Sequence, residues 1–390
     1  MNKPEISIII VGYNAAAFLK LTLFAVKKSI ENLKAEVIFI DNSNNPELVS
    51  LVTTNFPFVH VIGNNVNLGF GGANNLGLRY CKSDLALLLN PDTIITESAL
   101  NRVIQYYRNN STIGGIGLRM INGTGSFLRE SKRGFPDIFT SFCKFSGLAK
   151  FFPNNTNFTR YYAGHIDEFD IHKTDILAGA FMTLPRLKSG DFLLFDTSFF
   201  MYGEDVDLSY RLQQNFGENI YIGDESIIHF KGKSTEASTH IIYHFFHSMW
   251  IFYKLHIKPQ KNIVTNATVY LGIKGLSYFQ MFRSKYLDLF SRNKTINGTE
   301  FDIRLISNNH SVKKYLSNLP MSRNINISTS LKIDSEQLII FDLNFINQES
   351  VISFMQDNCG KYKFGFLTHD YSNLIMSESS FDKGQVYALK

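Results

Sequence analysis

Apolar runs and helical spacings alternate along the first third of the chain. Glu5–Val11 is a β-branched apolar run, the pattern of a strand buried on both faces. In Ala15–Glu31, Phe18, Leu21, Leu23, Val26 and Ile30 recur at helical spacing. Glu36–Ile40 predicts a second strand that ends at Asp41. Pro46 opens a short helix, because its fixed φ suits a first helical turn. Phe58–Ile62, Phe70–Tyr80, Leu85–Leu89 and Ser98–Tyr107 then predict strand, helix, strand and helix. Repeated βα units with continuous apolar strands imply a parallel sheet covered on both faces.

Residues 120–170 are rich in Gly, Asn, Phe and basic side chains and show no clear period. They predict a long, partly mobile excursion. Regular patterning returns at Asp175–Pro185, and Phe199–Gln213 predicts a turn entering a helix. Ile220–Ile222 and Ser226–Phe230 predict two short strands. His240–His256 and Asn262–Phe290 predict aromatic helices, the second with Lys274, Arg283 and Lys285 among apolar residues. From Phe301 the pattern changes to a smaller α/β unit, with a boundary near residues 291–299. The expected domains are 1–257, a helical segment 258–295 that could lie on a membrane, and a Rossmann-like unit 296–390 of unassigned role.

The length of 390 residues agrees with about two domains. A net charge of +5 is too mild to suggest a nucleic-acid binder. Cys81, Cys143 and Cys359 are far apart and form no CxxC pair, which argues against a disulfide framework or zinc site and for a reducing compartment. The opening apolar run is short and reads as a first strand, not a signal peptide. No uncharged apolar run is long enough to span a bilayer.

Ligands bind beyond the carboxyl ends of strands in such sheets. That rule brings Tyr13-Asn14, Asp41-Asn42 and Asn90-Pro91-Asp92 to one rim. Tyr13 and Asp41 could meet a base and a ribose, and Asp92 could hold a metal that bridges phosphates. Read one at a time, an Asp at a strand end is more often a turn former. Gly69, Gly71 and Gly72 could let the backbone approach a ligand at a helix start, or serve only strand-to-helix packing. Glu204, Asp205 and Asp207 cluster at another helix start. Capping is their plain structural role, and Asp207 can pair with Arg211 four residues on. Glu204 or Asp205, in the preceding turn, is freer to act as a general base. His229 is most simply a structural histidine, but it follows the acidic motif and could complete a metal site.

In order, SIIIVGYN, IDNSNN, NLGFGGANNLG, LLLNPDT, GAFM, FFMYGEDVDLSYR and IIHFKGKS resemble a family 2 glycosyltransferase, nearest the bacterial rhamnosyltransferase-like branch, over residues 4–257. The resemblance implies a GT-A fold: a Rossmann-like mixed sheet with helices on both faces, followed here by aromatic helices and a small C-terminal α/β unit. It implies inverting transfer from a nucleoside-diphosphate sugar, dTDP-rhamnose or a UDP-hexose, to a growing, lipid-linked surface polysaccharide. By position, Tyr13, Asp41, Gly69, Phe70, Asn74 and Asn90 would bind the donor. Gly179 and Ala180 would line the acceptor side, and Asp205, with Glu204 beside it, would deprotonate the acceptor hydroxyl. Asp92 matches the last acid of the family's Asp-x-Asp motif, but Asn90 replaces the first, so a divalent Mn or Mg ion would rest on Asp92 and His229. The implied location is cytoplasmic, peripheral at the inner face of the plasma membrane. A non-catalytic scaffold or glycan-binding protein on the same fold is the alternative. A nucleotidyltransferase is disfavoured because the first loop, VGYNAAAFLK, lacks its Gly-rich basic character.

Overall fold

The computed structural model describes residues 3–110, 112–135, 160–164, 166–199, 202–231, 239–258, 261–290, 300–333, 335–377 and 384–389. Residues 136–159 of the predicted excursion, with Cys143, and the predicted boundary at 291–299 lie outside the described residues. The first part runs β1 (Ile6–Gly12), α1 (Ala16–Ser29), β2 (Ala35–Asp41), α2 (Pro46–Asn55), β3 (Val59–Gly63), α3 (Gly69–Leu78) and β4 (Leu85–Leu89). It continues through β5 (Thr93–Ile94), α4 (Ala99–Asn109), β6 (Ile113–Ile121), β7 (Ile171–Thr174), β8 (Phe181–Pro185), α5 (Glu204–Phe216) and β9 (Glu218–His229).

The main sheet has the order β3-β2-β1-β4-β8. Its first four strands are parallel and β8 is antiparallel to β4. Successive strand side chains point to opposite faces. On one face Ile6, Ile8 and Ile10 join a core with Phe18 and Leu21 of α1 and Leu48 of α2. On the other, Ile9, Ile38 and Leu88 join Ala73 and Leu78 of α3 and Leu208 and Leu212 of α5. Helices cover both faces for that reason.

A second sheet has the order β5-β9-β6, with β7 also on β9. Two short strands were expected here, and one long strand is found. Leu118 pairs with Ile222 and the next residue, Arg119, pairs with Ser226. Gly223, Asp224 and Glu225 are thus bulged out of a continuous strand, and their polarity mimics a break.

Next come α6 (Thr239–Phe252), a π-helical turn (Tyr253–Ile257) and α7 (Ile263–Phe290). Ile251 and Phe252 of α6 pack with Val206 of α5 and with Phe199. His256 Nε2 lies 2.7 Å from Asp207 Oδ1, so the buried Asp207 ties α5 to the segment after α6.

The last unit comprises β10 (Phe301–Ile306), α8 (Val312–Leu316), β11 (Ser322–Ser328), β12 (Leu338–Asp342), α9 (Gln348–Asp357), β13 (Lys363–Leu367), β14 (Asn373–Ser377) and β15 (Gln385–Ala388). Its sheet has the order β11-β10-β12-β13-β14-β15, with the first four strands parallel. Such a sheet could bind a ligand beyond its strand ends, but here that rim meets α1. Lys20 Nζ lies 2.6 Å from Asp370 Oδ2, and the His369 ring stacks on Phe24. Asp342 is held by Ser307 and Tyr371. Nearby, Phe230 packs between Phe18 and Phe366, at ring-centroid distances of 5.6 and 5.3 Å. Glu97 accepts the backbone N–H groups of Gln348 and Glu349 at the start of α9, two groups that no intrahelical carbonyl can serve.

Candidate functional site

The Asn-Pro-Asp turn is clamped from three elements. Asn90 N donates to Ala180 O at 3.0 Å, and Phe230 N donates to Asp92 O at 3.0 Å. Thr22 Oγ1, on α1, lies 2.8 Å from Pro91 O and 2.7 Å from Thr93 O. β5 leaves the turn and pairs antiparallel with β9, so Thr93 stands opposite His229. That register delivers the imidazole to the turn. His229 Nε2 is 3.4 Å from Asp92 Oδ1 and 3.3 Å from Asn90 Nδ2.

Among the described residues, no three His, Cys, Asp or Glu side chains gather around one metal position. The donor set still suits a divalent ion. Two ligands of one ion, each roughly 2.1 Å from it, sit about 3 to 3.5 Å apart, and Asp92 Oδ1 and His229 Nε2 have that separation. A half-turn of the Asn90 amide would add its oxygen as a neutral ligand. Remaining positions would fall to oxygens of a bound diphosphate.

Two groups beside this turn were not singled out from the sequence. Lys231 Nζ pairs with Glu130 Oε1 at 2.5 Å. Burial pushes the Glu130 carboxyl up, but the Lys231 ammonium and its hydrogen bond outweigh burial and leave its pKa lowered. Lys231 belongs to the IIHFKGKS segment, which was its only signal. Glu130 lies in the stretch without a period.

At the other end of the rim, Tyr13 is exposed. Asp41 is buried, and its oxygens are taken by its own loop: Ser43 N at 3.0 Å, Ser43 Oγ at 2.5 Å and Asn45 N at 2.8 Å. It shapes the wall of a hollow of about 410 Å³ that Asn44, Asn45, Pro46, Gly63 and Asn64 also line. Asn42 Oδ1 accepts from Leu68 N at 2.9 Å, which fastens the end of β2 to the start of α3. Gly69 sits there at φ +71°, a conformation favoured by glycine. Asn74 stands in the second turn of α3. It is buried, and its amide donates to Phe70 O at 2.9 Å, because one helical turn brings residues four apart together.

Gly179 and Ala180 join the two halves of the site. Ala180 bonds the Asn90 backbone, as above. A Cβ on Gly179 would lie 3.3 Å from the Phe70 ring and 3.8 Å from Asp205 Cβ. A side chain there would crowd the Phe70 ring. Asp205 is half-buried and ion-paired with Arg133, which also donates to Leu177 O at 3.1 Å. Burial lowers the Arg133 pKa, but Asp205 outweighs it and the net direction is upward.

The acidic cluster divides by environment. Asp207 is buried and accepts from Arg211 Nε at 2.8 Å, the expected four-residue pair. Glu204 is buried, and its Oε2 has no hydrogen-bond partner among the described residues. Burial first, then the neighbouring Asp205 charge, pushes its pKa up to about 8. Glu204 therefore holds a proton at neutral pH, while Asp205 pairs with Arg133 and accepts from Val206 N at 2.9 Å.

This has a consequence for stability. A glutamate in the unfolded chain titrates near pH ~4.3. Between that value and the folded value of about 8, the folded state holds a proton that the unfolded state has released. Stability from Glu204 is therefore full below the unfolded pKa and is lost as pH rises through the window. Glu204→Gln should melt with the wild type near pH ~5 and several degrees above it near pH ~9. Melting curves that stay parallel across this range would contradict the assignment.

A family model described as Glycosyl transferase family 2 matches residues 7–171. Asp205 and His229 lie beyond that match and rest on the geometry above. The low-salt glycan biosynthesis hexosyltransferase of Haloferax volcanii is 27% identical over 228 residues, which cover 57% of this chain and 66% of that relative. The N-acetylglucosaminyl-diphospho-decaprenol L-rhamnosyltransferase of Mycobacterium tuberculosis is 23% identical over 250 residues, 61% of this chain and 80% of that one. Rhamnosyltransferase WbbL of Escherichia coli is 28% identical over 204 residues, 48% of this chain and 71% of that one.

Proposed function

Because the chain carries a family 2 glycosyltransferase domain on a GT-A fold, we propose that it moves a sugar from a nucleoside diphosphate to a glycan hydroxyl with inversion. The observation that carries this reading is the Gly179–Ala180 step. It bonds the Asn-Pro-Asp turn on one side and lies against Asp205 on the other. Donor and base can thus sit on opposite sides of one reacting carbon.

Tyr13 and the Asp41 loop hold the nucleoside, with the 410 Å³ hollow beside them. Asp92 and His229 would hold a divalent Mn or Mg ion, with Asn90 as a neutral neighbour. Such an ion, when bound, offsets the charge that grows on the leaving diphosphate. Lys231 stands next to this end of the site and can swing from Glu130 to a phosphate oxygen. Phe70 and Gly179 shape the gap through which the acceptor reaches the sugar. Asp205 takes the proton from the acceptor hydroxyl, and the hydroxyl oxygen attacks the anomeric carbon as the bond to diphosphate breaks. Arg133 orients Asp205 for that transfer.

Two relatives named for rhamnosyl transfer favour dTDP-rhamnose over a UDP-hexose as donor. One of them is named for a decaprenol-linked acceptor, which favours a lipid-linked glycan here. The free thiols Cys81 and Cys359 fit the reducing cytoplasm, so the reading places the enzyme at the inner face of the plasma membrane.

The test is a panel of nucleoside-diphosphate sugars, each with and without Mn²⁺ or Mg²⁺, read by thermal shift. The right donor at a hundredfold excess over Kd should stabilise by ~2.7 kcal/mol, and transfer should release nucleoside diphosphate. Supplied instead with a nucleoside triphosphate and a sugar 1-phosphate, a nucleotidyltransferase would release pyrophosphate. Failure of every sugar in the panel to bind would favour the scaffold reading.

A further inference from the structure

One face of α7 is covered by no other described element. Val264, Leu271, Tyr278 and Phe282 recur at i, i+7, i+14 and i+18, which is one stripe of a helix. They are 70, 67, 67 and 73% exposed. The opposite face lies on α6: Val269 is buried, and Tyr270 packs against Trp250 with ring centroids 4.9 Å apart. An apolar stripe of this length on a protein surface marks an interaction site.

Charge selects the occupant. No aspartate or glutamate occurs between Glu236 and Asp288, whereas Lys254, Lys258, Lys261, Lys274, Arg283 and Lys285 do. Lys274 and Lys285 are exposed along the stripe itself. A second copy of this face would bring like charges together. Anionic headgroups would neutralise them while acyl chains covered the apolar side chains. Among the described residues no helix is long and apolar enough to cross a membrane, so the stripe suits a helix lying in the membrane plane.

We propose that α7 lies flat on an anionic lipid surface. Val264, Leu271, Tyr278 and Phe282 enter the boundary between headgroups and acyl chains, and Lys274 and Lys285 meet the lipid phosphates. α7 rests on α6, and α6 rests on α5, which carries Asp205 in its first turn. The contact therefore lies two helices from the base. It deepens the reading of a lipid-linked acceptor and rests on that reading only for why the acceptor is there.

The test floats the full chain with vesicles of phosphatidylcholine alone, or with about a third phosphatidylglycerol, and no glycan lipid. The protein should float with the anionic vesicles at low salt and remain below at high salt or with phosphatidylcholine alone. The double variant Leu271→Glu/Phe282→Glu should lower the bound fraction about tenfold, with an unchanged melting temperature. No flotation by the wild type, or flotation that the variant leaves unchanged, overturns the proposal. So does a dimer, seen by light scattering, that the variant dissociates, which would assign the face to a second copy. Donor binding is read separately by thermal shift. Lost flotation with donor binding intact sinks this inference alone, and lost donor binding with flotation intact sinks the transferase reading alone.

Discussion

Asp205→Asn should lower sugar transfer about a thousandfold, within the usual range for losing a general base, while leaving donor binding in place. The amide keeps the shape of the carboxylate but cannot take up a proton. Asp205 lies beside Gly179, close to which the Phe70 ring also sits, and in the proposed reading the acceptor enters there. In the proposed reading donor affinity rests on the Asn-Pro-Asp turn and on the loops after β1 and β2, which the substitution does not touch. The loss should therefore fall on kcat, with the KM for donor little changed. The variant also leaves Arg133 without its anionic partner, which costs stability on the order of 3 kcal/mol for a buried pair. A melting curve separates that cost from the chemistry. Glu204→Gln is the informative partner, because Glu204 is buried and already protonated at neutral pH. It should retain most of the turnover. If Glu204→Gln is inactive and Asp205→Asn is not, the roles of the two acids are exchanged.

The second large effect concerns Asp92. Asp92→Ala removes the only carboxylate among the three side chains at the turn, leaving Asn90 and His229. A neutral amide and one imidazole hold a divalent ion poorly. Metal-dependent stabilisation by the donor should vanish, and transfer should fall by about two to three orders of magnitude. Chelation of the wild type should reproduce that loss, and added Mn²⁺ should reverse it in the wild type only. Donor stabilisation that is indifferent to both metal and Asp92 would instead assign the diphosphate to Lys231 and backbone N–H groups. His229→Ala should show the same direction with a smaller effect.

The Glu204 melting curves address the base region, and the flotation experiment the α7 surface, without an acceptor in hand. Together with the donor panel they separate base, metal, donor and surface.

Several features were legible along the chain because they depend on near neighbours. Glu5–Val11 and Leu85–Leu89 read as strands because both faces of a parallel sheet are buried, so the apolar run is continuous. Pro46 marked the start of α2, and Asp207 with Arg211 was a pair written in helical spacing. The rim of polar strand ends followed from sheet topology and not from any contact. The acid-free, basic character of residues 237–287 was also present in the sequence alone.

What spacing could not supply was the partner of each polar group. His229 meets Asp92 only because β5 and β9 pair antiparallel with Thr93 opposite His229, and register is a property of two distant segments. Arg133 meets Asp205 across 72 residues, from a stretch with no readable period. Buried charge must find a partner, but the choice of partner is made by packing. The same burial pushes the Glu204 pKa up to about 8, and packing sets the Asn74 amide on the Phe70 carbonyl and an Asp41 oxygen on Asn45 N. Sequence by itself determined the periods, the polar rim and the charge of the α7 region. Tertiary structure decided which polar side chains face one another, because hydrogen bonds and desolvation act through space and not along the chain.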